Sequence, residues 1–581
     1  MKQAEVLEKH GSLPMEGSKT TDTRTDNAQH FRDWPNAAGF NAPGDQREKV
    51  SLHITGAFPS WVAGSLYRTG PGSYKVPVTG KTKPAREEFK ISHWFDGFTT
   101  IHRFDLIAGE GGRCGEVHYS SRSQTDELIE HARKTGRLDC ITFGQKRDPC
   151  DSLYKKVKTV FEPHITGGPH TRNVGVVFRD ILPSEAKTLT IEQRSERKLL
   201  TVTTDNNSAK HFDADTLEPL GVTEQRHVHP ELTGPLSAAH AEHDPVTGDV
   251  FNYNLDFGPR GPIYRIFRAS PATGETEVLA KISGNDIQGA YIHSFFLTEN
   301  FVILCVWNAH YRLKGVSLLW ERNILDSIAP FNSKNDVVWL VVDRRHGRGL
   351  VKKLTSPAFF SFHSINAWEQ AGTGDAGSVD IMCELFEFDN MDILHKMYYR
   401  NLVSNEAGAL AKNPAAGKRT ASGLVRYKLA GIPTTTTRRS SQSTASDSRS
   451  PRAERVLDIR SPAAGDLPRI NPTLATKPHR YVWSTVNRGR SSFIDGLVKT
   501  DTFEKTCVHW DCDKHTPGEP IFIPAPDAES EDDGVLLCVV LNGETETSYL
   551  LCLDARTMQE VGRAEVGRAV GFGFHGRFVP T

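Results

Sequence analysis

The stretch FDADTLEPLG, Phe212 to Gly221, sets the reading of this 581-residue chain. An apolar run ends at Asp213, Thr216 follows three places on, and Glu218 leads into a new run. A short acidic or hydroxyl side chain at the first place accepts backbone N–H groups of a tight turn, and the chain leaves as a fresh strand. The pattern returns as HDPVTGDVF (Asp244, Thr247, Asp249), ASPATGETEVL (Ser270, Thr273, Glu275) and LDARTMQEVG (Asp554, Thr557). The first three are spaced by roughly 26 to 31 residues, near the hairpin-to-hairpin distance of a β-propeller. Such turns also occur in other antiparallel proteins. A sandwich or several small β domains are therefore the alternatives, and the spacing favours the propeller.

Outward from these turns the chain reads as all-β. Runs of four to eight residues rich in Val, Ile, Phe and Tyr alternate with Gly, Pro, Asn and Asp. Residues 122–162 carry the main helical signal. Residues 1–30 read as a polar, disordered lead-in without the apolar core of a signal peptide. Residues 31–581 read as one domain with a disordered Ser/Thr/Arg-rich insertion at about 433–457, because β patterning resumes beyond it. Basic and acidic residues number 70 and 71, so no global field draws nucleic acid or an anionic membrane. No apolar run approaches the roughly 20 residues of a spanning helix. The nine cysteines are odd in number and scattered, which suits reduced thiols in the cytosol.

Four histidines stand beside apolar, aromatic-rich runs: His240 in SAAHAEHDP, His293 in YIHSFFLTEN, His363 in FFSFHSINAWE and His575 in GFGFHGRF. A buried imidazole among Phe, Ile and Ala needs a partner. One such residue alone reads as a satisfied core histidine. Four brought together would make an all-imidazole metal site, suited to Fe, Zn, Cu or Ni. Three other motifs carry less. GTGDAG (Gly372 to Gly377) matches a dinucleotide loop, but a strand-like SVDIMCELFEF follows where a helix is needed. CVHWDCDKH (Cys507 to His515) has zinc-type ligands, yet structural zinc sites draw pairs from two separated elements. RTGPG (Arg68 to Gly72) lacks the Lys-Ser/Thr of a phosphate loop and reads as a tight turn.

With GSLYRTGPG (Gly64 to Gly72), HWFDGFTTIHRF (His93 to Phe104), LPRINP (Leu467 to Pro472) and GEPIFIPAPDAESEDDGVLLCVV (Gly518 to Val540), the histidine segments form an ordered set. The set resembles the carotenoid oxygenase family from about residue 50 to the C-terminus. The resemblance implies a seven-bladed β-propeller with a helical and loop dome over its iron-bearing face. It implies one Fe(II) held by His240, His293, His363 and His575, with O2 as co-substrate, while His243 belongs to a turn. It also implies three carboxylates behind the imidazoles. Glu519 matches one, Asp466 stands at the second, and Thr204, with Thr203 beside it, aligns where the third glutamate is usual. Asp96 and Gly97 read as structural, since a buried Asp commonly braces a loop.

The implied reaction is oxidative cleavage of a conjugated C=C bond into two carbonyl fragments. Stilbene-cleaving relatives set a Tyr and a Lys against the substrate phenol; here Tyr119 is kept, but Gln145 stands at the Lys position. That favours a carotenoid, and the insertion and RDPC segment resemble fungal members, notably torulene-cleaving ones. β-Carotene and apocarotenoids are the next expectations. The expected partner is a hydrophobic polyene, with no nucleic acid and no obligate protein partner. Residues 148–161, DPCDSLYKKVKTVF, place Leu153, Val157, Val160 and Phe161 near one helical face with three lysines, and predict peripheral membrane contact by a cytoplasmic protein. An ordinary dome helix is the alternative for that segment.

Overall fold

Strands of alternating or wholly apolar residues dominate the computed structural model, which describes residues 31, 33–80, 87–146, 168–195, 197–372, 377–435 and 451–581. They assemble into seven antiparallel sheets of four to six strands, the blades of a propeller, plus a two-stranded ribbon. The second to sixth blades are built mainly from consecutive strands. The third, for example, runs Glu242–His243, Val250–Gly258, Gly261–Ala269 and Thr276–Ile282.

The circle is closed from both ends of the chain. The C-terminal strand Gly576–Pro580 pairs with Gly64–Ser73 in the first blade, Arg68 opposite Gly576. The early strand His53–Gly56 pairs with Glu560–Glu565 in the seventh. Closure covers edges that would otherwise be open to other chains. RTGPG is thus no turn: Arg68 to Gly72 lie within the strand Gly64–Ser73, where Gly70 lets the Gly573 backbone approach and Gly72 the Thr100 side chain.

The turn pattern has a consistent place. Asp213 Oδ1 accepts the N–H groups of Asp215 and Thr216 at 2.8 and 3.0 Å, and the Thr216 hydroxyl accepts Glu218 N–H at 3.3 Å. The turns at Asp213 and Ser270 join the third and fourth strands of their blades, and Asp554 joins the matching pair in the seventh. Asp244 differs: it joins the first and second strands of the third blade. The spacing seen in sequence therefore alternates between two kinds of hairpin. Asp343 and Asp501 build the same outer turn in the fourth and sixth blades, accepting N–H groups two and three residues on. Neither has the Thr that flags the others.

Within the helical stretch read from sequence, described helix is confined to Asp126–Thr135. Residues 122 and 123 end a blade strand, and 147–167, with the proposed membrane segment, lie outside the described residues. Asp126 and Glu127 sit in its first turn, Arg133 and Lys134 in its last, as the helix dipole favours, and Gly136 closes it with φ 65°. The expected insertion narrows too. Pro433 ends one strand of the fifth blade, Glu454–Arg460 forms the next, and 436–450 lie outside the described residues, as do 1–30. SVDIMCELFEF is a strand, Ser378–Phe388, as read.

Candidate metal centre

His240 and His293 stand just before the first strands of the third and fourth blades. His363 lies in the first strand of the fifth, and His575 immediately precedes the closing strand of the first. The propeller brings these four blades' inner ends to one point. The ligand nitrogens all lie within 4.8 Å of one another. His240 Nε2 is 3.0 Å from His575 Nε2, and the ring centroids are separated by 4.4 to 6.3 Å, the longest being His293 to His575. Nitrogens 2.1 Å from a common ion and at right angles stand about 3 Å apart, so the spacing suits one first-row ion. His363 Nε2 is buried without a protein partner. Among the described residues, this is the one group of three or more His, Cys, Asp or Glu side chains with metal-site spacing.

Three imidazoles are fixed from behind by carboxylates from the other three blades. His363 Nδ1 is 2.6 Å from Asp466 Oδ1, and His575 Nδ1 is 2.8 Å from Glu519 Oε1. Behind His293 the carboxylate is Asp205, at 2.7 Å, where Thr204 was expected. The correction is one residue: Thr204 lines the cavity, while Asp205 in the following turn also accepts the Tyr291 hydroxyl at 3.0 Å. A carboxylate at Nδ1 holds the proton there and leaves Nε2 free to ligate.

Glu519 is the most strongly held of the three. Its Oε2 accepts Arg68 Nη1 and Gly576 N–H, both at 2.8 Å, and Arg469 Nη2 lies 2.9 Å from Oε1. Burial alone would raise its pKa; Arg469, His575 and Arg68 overcome this and hold it far below the carboxylate range. Burial pulls His575 down to about 4 against the opposing pull of Glu519, and burial with the neighbouring rings pulls His240 well below its ordinary value. His240 and His575 are thus held neutral, as metal ligation requires. Arg68 was missed in sequence because its partner is 451 residues away.

Above the centre lies a cavity of about 1010 Å³ lined by His293, His363 and His575. Its wall near the metal is aromatic. Phe95 packs on Phe143, Phe362 and Phe574 at 4.8, 5.7 and 5.6 Å between centroids. Asp96 braces this wall as a structural residue: it accepts the N–H groups of Phe143 and Gly144 at 2.6 and 2.8 Å, and burial pushes it up to about 6. A side chain at Gly97 would meet Pro71 and the Tyr399 hydroxyl within 2.5 Å.

The other expected groups fall elsewhere. His243 is exposed and pairs with Val250 in a hairpin. In CVHWDCDKH, His509 Nε2 lies 2.8 Å from the Pro462 carbonyl and His515 Nδ1 2.8 Å from the Tyr549 hydroxyl. The eight described cysteines are free thiols. Tyr119 is buried against His102, and Gln145 binds the backbone of Ser92 and Lys90. Neither lines the cavity, so the amide at the Lys position does not separate stilbene from carotenoid.

The model of the family described as retinal pigment epithelial membrane protein matches residues 39–580. This chain belongs to the carotenoid oxygenase family. Its relatives include fungal dioxygenases. It is 44% identical over 568 residues to a torulene dioxygenase of Gibberella fujikuroi, covering 95% of each chain. It is 40% identical over 573 residues to a carotenoid dioxygenase of Neurospora crassa, covering 95% of this chain and 92% of that one. The cobalt-substituted apocarotenoid oxygenase of Synechocystis superposes with a TM-score of 0.67 at 18% identity, covering 95% of this chain and 99% of that one, a match of fold.

Proposed function

We propose that this carotenoid oxygenase uses one Fe(II) and O2 to cleave a C=C bond of a carotenoid into two carbonyl fragments. The observation that carries the reading is the convergence of four imidazoles at the floor of a large, aromatic-walled cavity. What a ferrous ion supplies there, when bound, is activation of dioxygen. The protein's part is placement. His240, His293, His363 and His575 present Nε2; Asp205, Asp466 and Glu519 keep the proton on the far nitrogen of three rings. Phe95, Phe143, Phe362 and Phe574 offer flat apolar faces that orient a conjugated chain and exclude water.

Torulene is the first substrate to test, on the strength of the 44% identical relative, with β-carotene and apocarotenoids next. Iron-loaded protein incubated with torulene, β-carotene and resveratrol, followed by product mass, tests this; cleavage of resveratrol alone overturns it. His293→Ala and His363→Ala should each lose bound iron. Full iron and activity in both would refute the site. Peripheral contact of a cytoplasmic protein with membrane, through 148–161, is part of the same proposal. No helix among the described residues is long and apolar enough to cross a membrane. Liposome flotation of a variant with Leu153, Val157 and Phe161 changed to Asp checks the contact; unchanged binding refutes it.

A further inference from the structure

One section of the cavity wall is built differently from the aromatic floor. The helix Asp392–Lys396 ends at Lys396, which is half-buried and lines the cavity. Among the described residues its amine has no hydrogen-bond or ion-pair partner. Arg488, on the same wall, is by contrast bound to Asp495 and Asp511, both at 3.1 Å. Trp94 lines the same cavity, and its backbone N–H donates to the carbonyl of Met397, the residue after Lys396, at 3.0 Å. The Trp94 indole N–H is buried and has no acceptor among the described residues. Its ring packs on Phe574, next to the ligand His575, at 4.7 Å, and on Phe493 at 5.0 Å. Trp94 thus lies at the metal end of the cavity whose wall also carries the amine.

Two nitrogen donors without acceptors at a cavity wall are costly unless something fills them. Burial pulls Lys396 down to about 8, with Asp495 opposing, and both forms of the amine still donate. A hydrocarbon end leaves both donors unsatisfied, whereas a terminal oxygen satisfies them. We propose that Lys396 and the Trp94 indole, both lining the cavity, form a subsite for a carbonyl or hydroxyl oxygen at the end of the polyene. The subsite selects oxygen-ended polyenes over hydrocarbon ones. It rests on the reading of the cavity as a polyene site.

The test compares two polyenes of equal conjugated length, one ending in an aldehyde and one in a methyl group. With the iron-loaded full chain, the ratio of kcat/KM values should favour the aldehyde by about tenfold. Lys396→Met should bring the ratio close to one, and Lys396→Gln, which keeps a donor, should fall between. Trp94→Phe keeps the ring and drops the N–H; it should lower the ratio about threefold and carries the comparison if Lys396→Met does not fold. A wild-type ratio near one, or a ratio unmoved by these changes, overturns the subsite. Binding of both polyenes, read anaerobically by tryptophan quenching, separates the two claims. Tighter, Lys396-dependent aldehyde binding without turnover sinks the cleavage reading and keeps the subsite. Turnover of both with no effect of Lys396 does the reverse.

Discussion

Glu519→Gln asks more of this structure than any other single change. The carboxylate faces four donors: His575 Nδ1–H and Arg469 on Oε1, Arg68 and Gly576 N–H on Oε2. An amide has one acceptor oxygen, so whichever way it turns, its NH2 meets two donors. Turned toward His575, it strands Arg68, which is 2% exposed and loses its carboxylate. An unpaired buried charge costs about 3–5 kcal/mol. Turned toward Arg68, it sets NH2 against His575 Nδ1, and the ring moves its proton to Nε2, the ligating atom. Loss of a partner behind a metal ligand costs about 10–100-fold in affinity, or about 1.4–2.7 kcal/mol. The second cost is smaller, so the oxygen goes to Arg68 and the metal site is impaired. Metal affinity by chelator competition should therefore fall 10–100-fold. Adding Arg68→Met frees the oxygen to turn back to His575, and the double variant should bind metal more tightly than Glu519→Gln alone, a strong departure from additivity. Wild-type affinity in the single variant, or no recovery in the double, refutes the reasoning.

Four further outcomes follow from the same geometry. Cys507→Ser with Cys512→Ser should leave bound metal unchanged by elemental analysis, since no metal cluster is seen at that segment among the described residues. Asp554→Ala should cost about 1 kcal/mol in denaturant unfolding, the scale of the turn hydrogen bonds it removes. Asp244→Ala should cost about 3–5 kcal/mol, because it also strands Arg344, whose side chain is 1% exposed and 2.7 Å away. Buried His93 and His102 sit near pKa 3 and His211 near 4, so the unfolded chain binds more protons below about pH 6.5. Stability should fall as pH drops from 6.5 toward 4, read as a lower melting temperature. Asp96, raised to about 6, and Glu242, raised to about 8, act in the opposite sense, but they are outnumbered by the lowered histidines, His310 near 4 among them. A flat or rising melting temperature would contradict this.

What the sequence by itself determined is local. Asp213, Asp244 and Asp554 form their turns because each bonds N–H groups within three residues, and the apolar runs between such turns become strands. The four ligand histidines were legible for a related reason: each stands beside an apolar or aromatic run of sequence where an unmatched imidazole demands an explanation. Asp343 and Asp501 escaped because the Thr that flags the other turns is absent. What only the tertiary structure decided is every partnership across blades. Asp205 replaces Thr204 behind His293 because the direction of a turn residue depends on how the second blade packs on the axis. Arg68 reaches Glu519 because the ends of the chain close one circle. Tyr119 and Gln145 drop out of the cavity for the same kind of reason, their side chains being held by His102, Ser92 and Lys90. Hydrogen bonds over two or three residues are written in the order of the chain, whereas bonds over hundreds of residues depend on the angle at which one sheet meets the next.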